Sequence, residues 1–277
     1  MRRRIAIAGV VIGTAAGITI GRTVRWWRAW GVDPTEAAKA LAGDDLVPTP
    51  TAIETRGITI DAPPEAVWPW LVQMGFDRAG WYSYDRLDNR RSSVDRIRPE
   101  YQATAVGDIL PVSPDNGFEV KVVEPGHAFV LFTDTELVER QARAVAERAS
   151  VAIPAGLAAS GAFLRQTPRE FAASWAFVLE PVDGGRTRLI ERFRVRFGQA
   201  SPAFRVVGPV MGFGVYVMMQ RQMLGIAERA IRTAVAPAPS VPAATVAAVE
   251  PPPTRRDPVT AVIARADPPS EVLATAN

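Results

Sequence analysis

ITIDAPPEAVWPWLVQMGFDRAGWYSYDRLDN, residues 58–89, decides how the rest of the chain is read. Ile58 and Ile60 alternate with Thr59 as in a half-buried strand, which opens near Arg56. Pro63 and Pro64 follow, and because proline fits the first helical turn they announce a helix. Val67, Leu71 and Met74 recur at spacings of four and three, which puts an apolar stripe toward a core, and Gly75 supplies the stop. Pro69 removes a backbone donor inside that helix and predicts a kink, which leaves room beside it. The aromatic side chains Trp68, Trp70, Phe76, Trp81, Tyr82 and Tyr84 crowd this stretch, so it must build a core or line a pocket.

The remaining composition limits what such a pocket can do. The chain has 277 residues, 48% of them hydrophobic, enough for one substantial core. Its net charge is only +3 and its arginines are spread along the sequence, so nucleic acid is not an expected partner. There is no cysteine and one histidine, His127, in a PGH turn. Thiolate and multi-histidine metal sites, disulfides and cysteine nucleophiles are therefore excluded. No GxxxxGK[ST], GxGxxG or HExxH run occurs, so no cofactor is expected.

Both ends differ from globular sequence. Arg2, Arg3 and Arg4 precede a seventeen-residue uncharged run, IAIAGVVIGTAAGITIG, at the short limit of a membrane span. Arg22, Arg25, Trp26, Trp27, Arg28 and Trp30 then suit a headgroup layer. Residues 1–30 read as a single N-terminal membrane anchor, with a cleaved signal or a buried helix as the alternatives, and the side of the membrane is left open by positive charge on both flanks. Residues 31–54 read as a proline-broken spacer holding a domain of residues 55–233 off a surface. Residues 234–277, rich in proline and alanine, read as a disordered tail that could hold a protein partner.

Within the domain, strand-like segments follow the aromatic turn: Val106 to Val112, Phe118 to Val123, Phe129 to Thr133, Trp175 to Leu179 and Thr187 to Phe197. Short turns join most of them, as in an antiparallel sheet with one wet face. An inserted segment, 136–171, interrupts the pattern with a helical stripe and a proline-broken apolar stretch. Ala203 to Thr233 reads as a long helix whose regular part begins near Val210, with Val210, Phe213, Val217, Leu224, Ala227 and Ile231 on one stripe and four methionines on its neighbour.

The fold class is thus α+β, a curved antiparallel sheet wrapped around a long C-terminal helix. The stretches ITIDAPPEAVWPWLVQMG, GWYSYDRLDN, VGDILPV, SWAFVLEP, GRTRLIERFR and RQMLGIAERA resemble the START-like, Bet v 1-like superfamily, in particular its polyketide cyclase and lipid-transport types. That resemblance implies a helix-grip fold with an apolar, aromatic-lined cavity for a hydrophobic small molecule. The expected cavity residues are Trp68, Leu71, Trp81, Tyr82, Phe118, Phe129, Trp175, Phe177, Phe193, Met219 and Met223.

Candidate chemistry is sparse. Tyr82, Tyr84 and Asp85 could form an acid–base set with Arg192 as an electrostatic stabiliser. Aromatic residues in such a turn more often close one end of a core, with Asp85 capping a helix and Arg192 in solvent. Glu191 is the sharper candidate, because it alternates onto the face of Leu189 and Phe193, where a lone carboxylate is costly. Three functions follow: membrane-tethered binding or transfer of a lipid or polyketide-like molecule, a cofactor-independent cyclase or dehydratase, and a scaffold protein.

Overall fold

The computed structural model describes residues 26–88, 91–149, 170–198 and 202–235. The uncharged run at residues 5–21, the apolar part of the inserted segment and the tail from residue 236 lie outside the described residues. Among the described residues no helix is long and apolar enough to cross a membrane.

Six strands form one antiparallel sheet: β1 (Ala52–Ile60), β2 (Ile109–Pro111), β3 (Gly117–Glu124), β4 (Ala128–Asp134), β5 (Phe171–Val182) and β6 (Arg186–Phe197), in the order β1-β6-β5-β4-β3-β2. The helices are α1 (Pro34–Ala38), α2 (Pro64–Val72), α3 (Asp85–Asp88), α4 (Thr135–Ala149) and α5 (Pro202–Val235). The Asp183, Gly184, Gly185 turn closes the long β5–β6 hairpin, and both glycines take the positive φ that such a turn needs. Alternation along these strands separates two faces. Leu179, Phe177 and Leu189 join the main core with α2 and α5, while Val178 and Ile190 face the other way, onto Leu41. Strand β3 does not keep the alternation expected through Val122. A register shift between Val120 and Val122 turns Val123 toward the core.

Three expectations about the flanks and the long helix are corrected. The stretch read as a spacer is stitched to the outer face of the sheet. Asp33 caps α1 by accepting from the backbone N–H groups of Thr35 and Glu36, and Glu36 pairs with Arg188 at 2.6 Å. Its reading as a spacer followed from its prolines, yet Pro34 opens α1 in a packed strap. Trp27 and Trp30 do not wait for lipid: Trp27 is buried against Tyr216 and Gly212, and Trp30 packs on the core, while Trp26 is 57% exposed. Finally, α5 runs unbroken through Gly208 and Pro209. Its buried stripe is Tyr216, Met219, Met223, Ile226 and Ala230; of the expected stripe, Ala227 and Ile231 pack partly buried against the core, whereas Phe213 and Leu224 face outward. The helix is apolar on two adjacent stripes, and the flexible methionines fill the irregular space under the sheet better than the stripe read from the sequence.

Candidate functional site

The WYSYD turn is fixed by its own polar groups. Asp85 accepts from the backbone N–H of Ser93 at 2.8 Å and from its hydroxyl at 2.5 Å, and Ser93 Oγ accepts from the Tyr82 N–H at 3.0 Å. This lets Tyr82 hold a φ of 58°, unusual for a residue with a Cβ. Its ring is then buried against Trp70 and under the Arg229 guanidinium, and its hydroxyl accepts from Gln73 Nε2 at 2.8 Å. Burial pushes the Tyr82 hydroxyl well above the usual tyrosine range, with the Gln73 hydrogen bond acting against it. Tyr84 is 43% exposed on the outside.

The turn delivers Trp81 onto Trp175, with ring centroids 5.3 Å apart and planes within 18°. Beside this pair lies a pocket of about 180 Å³ lined by Trp81, Val112, Trp175 and, from α5, Val215, Met218 and Met219, with Ser83 and Gln222 as its polar members. Of the residues expected in a cavity, Trp81, Trp175 and Met219 therefore stand on this wall. Leu71, Tyr82, Phe129, Phe177 and Met223 are in the packed core, and Trp68, Phe118 and Phe193 are partly buried against it.

Behind Trp175 and Met219 lies a buried ionic cluster. Glu191, fully buried, accepts from Trp175 Nε1 at 2.6 Å through Oε1. Its Oε2 has no hydrogen-bond partner and lies 4.0 Å from Arg56 Nη1. Arg56 is directly opposite Glu191 in the β1–β6 register, but its guanidinium is engaged elsewhere, on Glu54, on Met219 Sδ at 3.0 Å and over the Tyr216 ring. Burial accordingly pushes the Glu191 carboxyl above the usual carboxylate range, and Arg56 and the Trp175 hydrogen bond only offset part of that. Arg56 and Glu54 were missed in the sequence, although the signal was the one that singled out Glu191: they alternate onto the apolar face shared with Ile58 and Ile60.

The proposed acid–base set is not brought together. Arg192 points to the opposite face of the sheet, where it donates to Thr55 Oγ1 and to the carbonyls of Ala37 and Lys39 and pairs with Asp44 at 2.8 Å. Adjacent strand residues face opposite sides, so Arg192 cannot serve a site on the side of Glu191. Asp85 is occupied by Ser93 and Glu191 by Trp175. Among the described residues no group of three or more histidine, cysteine, aspartate or glutamate side chains could hold a metal ion.

Comparison with protein-family models returns no match, and neither does comparison with curated proteins. Solved structures are similar to the chain. Protein MLL2253 from Mesorhizobium loti is 17% identical, with 65% of this chain and 98% of that one covered and a TM-score of 0.32. Norcoclaurine synthase from Thalictrum flavum is 10% identical over 70% and 94%, with a TM-score of 0.32. The Polyketide_cyc-like protein Cgl2372 from Corynebacterium glutamicum is 15% identical over 66% and 89%, with a TM-score of 0.24. The fold rests on the chain's own strand order and on the helix packed across one face of its sheet, an arrangement that agrees with the START-like, Bet v 1-like resemblance of its motifs.

Proposed function

We propose that the chain binds a small hydrophobic molecule, about the size of a single ring, in the pocket between the Trp81–Trp175 pair and α5. The observation that carries this reading is the size and apolar lining of that pocket. A cavity of roughly 150 Å³ lined by aliphatic and aromatic side chains admits benzene, whereas drug-sized ligands occupy about 300–1,000 Å³. At about 180 Å³ the pocket matches the first class. The Trp81–Trp175 stack forms one wall of this pocket and offers a flat face to a ring. Native mass spectrometry of purified protein is the test. A bound mass of one-ring size, displaced by added benzene or toluene, supports the reading; a folded protein that neither carries nor takes up such a molecule sinks it.

The reading has a second component, a tether formed by residues 5–21. It is supported by the absence of charge in that run and by the strap that follows it. Since residues 31–54 are not a free spacer, a tether ending at residue 21 would hold the domain close to the bilayer, with exposed Trp26 and Phe213 nearby in the fold through Tyr216. Alkaline extraction of membranes from cells expressing the full chain tests this, and release of the protein into the soluble fraction would count against it. The cyclase-type alternative retains one acid, Glu191, and in this arrangement that acid positions Trp175 from behind the pocket wall.

A further inference from the structure

We infer that the pocket opens onto the bilayer, through a docking surface formed by Trp26, Phe213 and Val215, and that its occupant exchanges with the hydrocarbon and not with water. This rests on the proposed binding function and tether, and adds the face that meets the membrane and the source of the ligand.

The mouth is located by a gradient of exposure along α5. Val215, Met219, Gln222 and Ile226 follow one another at spacings of four, three and four, which puts them on one face of the helix. Ile226, Gln222 and Met219 are buried, whereas Val215 is 41% exposed although it lines the pocket. The core therefore closes over this face at Ile226 and leaves it open at Val215. The opening lies on the N-terminal side of the buried stripe, where Trp26 and Phe213 stand.

The side chains around that opening are apolar and exposed. Phe213, two residues before Val215, is 46% exposed, and Trp26 packs edge-on against Tyr216 at 5.7 Å with more than half of its surface free. Three large apolar side chains bared around one opening mark an interaction site. Its occupant follows from the chain that leads to it. Gly21, the last residue of the uncharged run, comes five residues before Trp26, and five residues span at most about 18 Å. With residues 5–21 in the bilayer, Trp26 and the mouth beside it stay at the headgroup layer. Arg22, Arg25 and Arg28, set among tryptophans, give that layer of the chain the charge that anionic headgroups attract. A one-ring apolar molecule leaves water for hydrocarbon, so a mouth on the bilayer meets its ligand where the ligand is concentrated.

The chain has no cysteine, so a single substituted cysteine reports its own surroundings. Asp183 supplies the reference, being exposed and about 25 Å from Trp175 along the β5–β6 hairpin. Full-length Val215→Cys and Asp183→Cys are each reconstituted into liposomes of phosphatidylcholine and phosphatidylglycerol. They are reacted with a charged methanethiosulfonate, present in the water on both sides, and with an alkyl maleimide dissolved in the lipid. The expected result is that Val215→Cys reacts several-fold faster than Asp183→Cys with the lipid-borne reagent, that the order reverses with the charged one, and that added toluene slows only Val215→Cys. Gly214→Cys, whose Cβ would have nothing within 4 Å, gives the same reagent comparison if Val215→Cys does not fold. A charged reagent that reaches Val215→Cys as fast as Asp183→Cys overturns the inference and leaves the pocket and the tether standing. Protection of Val215→Cys from both reagents also overturns it, and shows the mouth covered by protein, such as a second copy of the chain. Reaction from the lipid that toluene does not slow overturns the binding function and the exchange together. Protein that does not stay with the liposomes overturns the tether and this inference together.

Discussion

Trp175 Nε1 donates to Glu191 Oε1 at 2.6 Å, a diagonal contact on one face of the β5–β6 ladder, in which Trp175 lies opposite Phe193 and Glu191 opposite Phe177. The carboxyl that looked misplaced among apolar residues thus sets the plane of the indole that stacks on Trp81. Its proton should respond to pH in a definite direction. Burial raises the folded-state pKa of Glu191, with Arg56 and Trp175 opposing and Glu54 adding to it. A raised pKa contributes stability that is fully present below the unfolded-state value, about 4.3, and is lost as pH rises through the folded-state value. Glu191→Gln keeps a carbonyl for the Trp175 N–H and does not titrate. Its melting temperature is expected to gain on that of the unsubstituted protein as pH is raised from about 4 to about 8. A difference that stays constant with pH would refute this.

The Asp85–Ser93 pair is expected to be structural. Asp85→Ala removes acceptors for both the backbone N–H and the hydroxyl of Ser93, and should destabilise by about 1–2 kcal/mol in denaturant titration. Ser93→Ala should cost a similar amount, and the double variant less than the sum, because both act on one turn. Additive losses would show that the two residues hold different things.

Helix α5 closes on the turn at Gly225. A Cβ there would stand 2.2 Å from the Tyr82 carbonyl oxygen, so Gly225→Ala must push the helix off the WYSYD turn and should cost about 1–3 kcal/mol, measured by thermal or chemical unfolding. Gly214, on the same helix, has nothing within 4 Å of such a Cβ, and Gly214→Ala should stabilise by up to about 1 kcal/mol. Equal effects at the two sites would contradict the packing described.

On the other face, Arg192 ties the strap to the sheet through two carbonyls, Thr55 and Asp44. Arg192→Leu leaves those acceptors without their donor and should cost about 3 kcal/mol. Amide hydrogen exchange should rise across residues 33–47 while pocket binding is kept. Loss of binding with an unchanged strap would instead place Arg192 in the site.

How much of this was legible depends on whether a residue's neighbours are close in sequence. Strands carrying Trp175, Phe177 and Leu189 announce themselves by alternation, and Glu191 stands out because it violates that alternation. The partners that give Glu191 its meaning could not be read: Arg56 comes from a strand more than a hundred residues away, and only the β1–β6 register puts it opposite. The α5 stripe was read one step around the helix because two apolar stripes run side by side, and only packing under the sheet selects the one with Tyr216, Met219 and Met223.

The strap also dictates where the domain can be cut. Motif boundaries alone would invite truncation just before Arg56, at the first alternating residues. Such a fragment would bare Val178 and Ile190, now under Leu41, strip Arg188, Arg192 and Arg194 of Glu36, Asp44 and the Val47 carbonyl, and remove half of the edge strand β1. The shortest self-sufficient piece therefore begins upstream of Trp27. Anyone trimming the chain for expression should expect aggregation, not a smaller soluble domain, from a start at β1.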